Sequence, residues 1–143
     1  MRLTTISLSL CALAVLGGTL LYAQSAPEDR QAETEPGKKL FNQCRACHTL
    51  DRTGDSGAGP NLYGVVGRRV GMQAEFAYSS ALLEKNVKWT QKELDNFLKS
   101  PGDYAPGTTM AYSGMKDAAN RKALIEYLKT MAPTKQHSRA RQH

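Results

Sequence analysis

Cys44-Arg45-Ala46-Cys47-His48 is the string that most constrains this chain. On a helical turn, residues i and i+3 share one face, so two sulfurs at this spacing reach the two vinyl groups of one porphyrin. The histidine that follows can turn an imidazole nitrogen onto the iron from the same side. C-x-x-C-H is the attachment signature of c-type haem. Thioether bonds make such a cofactor permanent, which suits repeated gain and loss of an electron. Two other chemistries use paired cysteines. A redox-active C-x-x-C needs a strand before it in a βαβ setting, whereas residues 37–43 read as a helix. A structural zinc site needs four ligands, but Cys11 belongs to another segment, and His137 and His143 sit in a polar tail.

The ends of the chain differ in character from its middle. After Arg2, residues 3–23 carry no charge, and small residues at Ala23 and Ser25 place a cleavage point before Ala26. Residues 1–25 are expected to be an export signal that delivers the protein to the periplasm. At about 1.5 Å per residue the uncharged run is also roughly 30 Å long, so an uncleaved tether through 3–23 to the inner membrane is the alternative. Thr4, Thr5, Ser7, Ser9, Thr19 and Gly17-Gly18 weigh against it. Residues 26–36 are polar and acid-rich with two prolines and read as a linker, and 133–143 read as a basic disordered tail. Residues 37–132 form one small domain, whose own core is limited and which a buried porphyrin would enlarge. The 19 Lys+Arg against 13 Asp+Glu give a formal +6. That excess is scattered, with no aromatic-interleaved groove, so nucleic acid is excluded as a partner. In an oxidising compartment Cys44 and Cys47 would risk a disulfide, which thioether formation prevents.

Within the domain, residues 49–71 hold Gly54, Gly57, Gly59, Gly64, Gly67 and Gly71 with Pro60 and Asn61, and no periodicity survives. A loop this long in a small domain argues for a large ligand inside it. Ser79 or Ser80 is placed to cap a short helix through Leu83. Thr90-Gln91-Lys92-Glu93 is a capping box before Leu94, Phe97 and Leu98, and Pro101 ends that helix. Asp117 starts the last helix, with Leu124, Tyr127, Leu128 and Met131 on its apolar face. No segment alternates as a strand does, so the domain is all-α.

His48 takes one axial position of the iron, and the occupant of the other separates a carrier from a catalyst. A thioether there seals the iron and raises its potential. Met72, Met110, Met115 and Met131 are the candidates. Met131 reads as core packing, and spacing alone does not remove Met72. Met110 ends the run Tyr104-Ala105-Pro106-Gly107-Thr108-Thr109-Met110, whose Pro-Gly turn fixes a loop as a held ligand requires.

With these residues assembled, 37–132 resembles a class I cytochrome c of the mitochondrial and bacterial periplasmic type. Cys44 to His48, Gly59-Pro60-Asn61-Leu62-Tyr63-Gly64, Gly67-Arg68, Trp89, Pro106 to Met110 and Leu124-Ile125-Glu126-Tyr127-Leu128 carry the resemblance. It implies a small cytochrome c fold, with helices and loops wrapped around one covalent haem c. Cys44 and Cys47 then supply the thioethers, and His48 and Met110 are the axial ligands. The Pro60 carbonyl holds the His48 ring N–H. Tyr78 and Trp89 match positions that hydrogen-bond a propionate, Arg68 one that balances its charge, and Thr108 belongs to the haem environment. Gly37, Phe41, Leu124 and Tyr127 match the contact between the first and last helices. The implied function is that of a monomeric, non-enzymatic one-electron carrier between membrane redox complexes of a respiratory or photosynthetic chain. The alternatives are a tethered subunit of a redox complex and a peroxidase-like or gas-binding protein with an open sixth site.

The chain departs from that pattern in three ways. Phe97 and Leu82 stand where mitochondrial members carry a tyrosine and an asparagine that help hold an internal water. Removing both partners together leaves neither unpaired, so a drier pocket is expected, with Thr108 its remaining polar member. Asp103 and Thr109 replace lysines that ligate iron at high pH, so that exchange is expected to be weak. Gly102, Asp103 and Thr109 also thin the lysine ring used for docking, although Lys39, Arg45, Arg52 and Lys116 lie nearby in the pattern. Electrostatics of this kind governs association rate and partner choice more than affinity.

Overall fold

The computed structural model describes residues 27–132. The signal or tether read at 1–25 and the tail read at 133–143 lie outside the described residues. Five helices follow in order: α1 (Pro27–Phe41), α2 (Ser80–Leu83), α3 (Gln91–Lys99), α4 (Pro101–Tyr104) and α5 (Ala118–Thr130). Among the described residues there is no strand, and the antiparallel pairing of Arg69 with Lys88 is an isolated bridge. The all-α expectation holds.

The helix expected from residue 37 starts at Pro27 instead and runs through the stretch read as a linker. Proline is accommodated at a first helical position, where its missing N–H would be unpaired anyway. Pro36 lies inside the same helix. An interior proline removes one backbone bond and disfavours helix before it, which is why the sequence pattern broke there although the backbone stays helical.

The other helix ends follow local chemistry. Asp117 caps α5 by accepting the Asn120 N–H at 2.7 Å, and Thr90 caps α3 by accepting the Glu93 N–H at 3.2 Å. Only half of the expected capping box forms. The Glu93 carboxylate accepts the Tyr104 hydroxyl at 2.6 Å, while the Thr90 N–H goes to the Lys88 carbonyl at 2.7 Å. Pro101 ends α3 as expected and also opens α4 as its first residue, a turn of helix that no apolar repeat announced.

α1 and α5 cross where Gly37 lies against the Ala123 carbonyl and Tyr127, and the Phe41 and Tyr127 rings pack at 5.9 Å between centroids. The expected contact between first and last helices is therefore present. α3 packs beside α5, bringing Leu94, Phe97 and Leu98 against Leu124, Ile125 and Leu128 in the buried core. Arg121 is buried with them at 6% exposure. Its Nε–H donates to Asp95 at 2.7 Å, and its Nη1 donates to the Met115 and Lys116 carbonyls at 2.9 and 2.8 Å. One guanidinium thus ties α5, α3 and the segment before α5 together. These helices and the long loops between them both supply residues to the wall of one cavity.

Candidate functional site

The backbone after α1 keeps a helical turn. Cys44 N–H bonds to the Phe41 carbonyl, and Cys47 and His48 N–H both bond to the Cys44 carbonyl, at 2.8, 3.1 and 2.9 Å. That turn sets both cysteines and His48 on the wall of one cavity of about 370 Å³, inside the range of cofactor sites. Cys44 and Cys47 are free rather than joined. Burial, followed by the neighbouring Cys47, pushes the Cys44 thiol up to about 11. A redox-active C-x-x-C works through a lowered thiol pKa, and Cys44 is shifted in the opposite direction.

His48 Nδ1 lies 2.7 Å from the Pro60 carbonyl. A carbonyl only accepts, so Nδ1 carries the proton and Nε2 keeps its lone pair. Burial lowers the His48 pKa and the Pro60 carbonyl opposes this, which leaves a neutral imidazole able to bind metal. Behind the ring, Gly59 packs so closely that a Cβ there would sit 2.5 Å from His48 Cε1. Its backbone is held by Gly59 N–H to the Cys47 carbonyl at 2.8 Å. The glycine-rich loop is thus a cradle for one face of the imidazole.

The opposite wall comes from the run between α4 and α5. Ala105 to Thr108 form a tight turn closed by the Thr108 N–H on the Ala105 carbonyl at 2.9 Å, with Gly107 at φ +89°. Only glycine adopts that φ without strain. Met110 follows, half-buried on the cavity wall, with its N–H on Thr108 Oγ1 at 3.3 Å. Among the described residues it is the only methionine lining the cavity. Met72 is 63% exposed, Met115 is in the core, and Met131 caps α5 and accepts the Gly64 N–H through its carbonyl.

All of the expected site residues meet here. Cys44, Cys47, His48, Pro60, Arg68, Tyr78, Trp89, Thr108 and Met110 line this one cavity, together with apolar side chains that include Phe41, Leu62, Val65, Leu82, Leu94, Phe97, Leu98, Leu124 and Leu128. No carboxylate is among the described residues that line it. Arg68 is fixed by donating to the Tyr63 and Asn61 carbonyls at 3.2 and 2.9 Å and to Gln73 Oε1. Burial lowers its pKa and Tyr78 counters this. Tyr78 is raised by burial, while the Gln73 backbone and Arg68 draw it down.

Two polar atoms in this wall matter for what the cavity holds. Among the described residues, Arg68 Nε and Ser79 Oγ are the buried side-chain polar atoms without a hydrogen-bond partner. Buried donors in native proteins are nearly always satisfied, so both call for an acceptor on a cavity occupant. A largely apolar wall, a neutral imidazole, two free cysteines and two unsatisfied donors fit haem c, whose ring is apolar and whose edge carries carboxylates. Ser79 read as a helix cap because it precedes Ser80-Ala81-Leu82-Leu83. It stands at the cap of α2, but its side chain makes no cap bond. Nothing in one sequence distinguishes those two uses of a serine.

Comparison with known proteins agrees with this geometry. The sequence pattern of the cytochrome c family matches residues 34–132. Cytochrome c 2.1 of Caenorhabditis briggsae is 45% identical over 95 residues, covering 66% of this chain and 84% of that protein. Cytochrome c of Tetrahymena pyriformis is 41% identical over 102 residues, covering 71% and 91%. Among solved structures, cytochrome cH from Methylobacterium extorquens superposes with a TM-score of 0.64 at 37% identity, covering 68% of this chain and 97% of that one.

Proposed function

Because this chain belongs to the cytochrome c family and carries one covalently bound haem c, we propose that it is an exported one-electron carrier. Its donor and acceptor are membrane-associated redox complexes of a respiratory or photosynthetic chain, and it works in the periplasm as a monomer. One observation carries the reading: His48 and Met110 line the same cavity, and no other methionine among the described residues does. When bound, the haem supplies a reversible one-electron couple, whose potential a Met/His ligand pair raises.

The chain's own residues prepare the site for that couple. Cys44 and Cys47 would provide the thioethers, and the Pro60 carbonyl, by accepting the Nδ1 proton, leaves His48 Nε2 free to bind the metal. Met110 presents a neutral thioether that serves both oxidation states. Arg68 and Ser79, with Tyr78 and Trp89 on the same lining, would receive the propionate carboxylates. Leu82 and Phe97, both buried on the cavity wall, keep water away from the ligands, and Thr108 turns its hydroxyl to the Met110 N–H.

The rim points to a particular kind of docking. Gln43, Cys47, Ala58, Thr109 and Ala111 are the exposed residues that line the cavity, and none is charged. The partner therefore meets a neutral rim at the point of electron exchange. Film voltammetry of the natively exported protein tests the function. A single reversible one-electron wave, unchanged by added peroxide, is the expected result. A wave that turns catalytic with peroxide would replace the carrier by a peroxidase-like protein.

A further inference from the structure

The rim of the cavity is crossed by one hydrogen bond whose partners lie on opposite walls. The Tyr112 hydroxyl donates to Gln43 Oε1 at 3.0 Å, and both residues line the cavity. Gln43 is oriented for this role. Its Nε2 donates to the Leu40 carbonyl at 3.0 Å, at the end of α1, so the amide oxygen is left to face Tyr112. Gln43 also immediately precedes Cys44, the first thioether position. At the other end, the Tyr112 N–H bonds to the Met110 carbonyl at 2.9 Å, so Tyr112 and Met110 belong to one tight turn.

The remaining anchors of this segment lie on the other side of it. The Met115 N–H bonds to the Leu98 carbonyl at 2.7 Å, Lys116 Nζ to the Lys99 carbonyl at 3.1 Å, and Arg121 to the Met115 and Lys116 carbonyls. All of these fix the segment to α3 and α5. A movement of Met110 away from the iron is opposed across the rim by the Tyr112–Gln43 bond.

We propose that this bond is a latch and that Tyr112 is a positioning residue for the sixth ligand, a role that rests on the reading of Met110 as that ligand. The latch joins the turn that carries Met110 to the segment tethered by Cys44. It restrains Met110 when a competing ligand approaches, and its share of folding stability is that of one exposed hydrogen bond.

The test titrates imidazole against the ferric holoprotein at fixed pH and follows the methionine–iron absorption band. Y112F and Q43L are each expected to tighten imidazole binding about fivefold, the scale of one ordinary hydrogen bond. The double variant should go no further than either single one. Q43E should stay near wild type, since its carboxylate accepts the same phenol, and the denaturant midpoints of Y112F and Q43L should fall together by no more than the one hydrogen bond lost. Unchanged imidazole affinity in Y112F and Q43L, or effects that simply add, would overturn the latch while leaving Met110 as ligand. A wild-type protein without the methionine band, binding imidazole equally well in every variant, would remove the Met110 assignment and the latch with it.

Discussion

The two walls that face each other across the cavity are built by opposite strategies. On the His48 wall, the imidazole is held by the Pro60 carbonyl at 2.7 Å, backed by Gly59 with no room for a methyl, and follows a cysteine pair on a hydrogen-bonded turn. On the Met110 wall, the sulfur rides on a segment fastened at a Pro-Gly turn and again near Met115, with a long 3.3 Å bond to Thr108 and the rim bond of Tyr112 between. One ligand is fixed by many short-range constraints and the other by the ends of a span. On the proposed assignment of His48 and Met110 as ligands, the difference teaches where such a site gives way: ligand exchange is expected on the methionine side, while the histidine side sets whether the cofactor is held at all.

The sharpest way to break this comparison is Gly59→Ala. The added methyl meets the His48 ring, and overpacking at a constrained site costs about 3 kcal/mol. Denaturant unfolding and the yield of covalent holoprotein should both fall. A fully tolerated alanine would show that the histidine wall is less constrained than its distances imply. Arg121→Ala comes next, with an expected loss of about 2 kcal/mol in unfolding experiments. It leaves the Met115 and Lys116 carbonyls without their buried donor and Asp95 without its partner. Because those carbonyls end the methionine span, hydrogen exchange should rise there before it rises in residues 44–60.

A smaller effect separates the frame from both walls. Tyr104 packs against the touching Trp89 and Phe97 rings and gives its hydroxyl to Glu93. Burial first, then the Glu93 carboxylate, raises its pKa above the ordinary 10.0. A group raised in the folded state contributes stability that is intact below its unfolded pKa and lost as pH climbs from there toward the folded value. Stability should therefore decline above pH 10 in wild type and decline less in Y104F, with the phenol signal assigned by its absence from that variant. The smallest effect concerns the rim. Electron transfer followed by stopped flow should change only slightly with ionic strength, because the exposed lining residues are uncharged. A steep fall with salt would show that Lys39, Arg45 and their neighbours govern encounter instead.

How far the sequence reached depended on whether the chemistry was local. Cys44 to His48 announces itself because attachment needs that spacing, and Asp117 and Thr90 announce helix starts because a cap acts within three residues. Met110 was one methionine among four until the loops closed. Exposure of Met72 and burial of Met115 are tertiary outcomes that no period encodes. Helix α1 was cut short in the pattern because Pro36 penalises helix locally, whereas the backbone remains helical across it. Arg121 lies between Asn120 and Lys122 and reads as surface, and only the arrival of Asp95 from 26 residues away turns it inward. The Tyr112–Gln43 bond spans 69 residues and joins side chains that carry no signature of each other.

The central claim is that His48 and Met110 close both sides of one haem. The most direct measurement is the absorption spectrum of the reduced holoprotein before and after carbon monoxide is added. An unchanged spectrum, with the methionine–iron band present in the oxidised form, is the predicted result. Rapid carbon monoxide binding without that band would contradict it and leave the sixth site open.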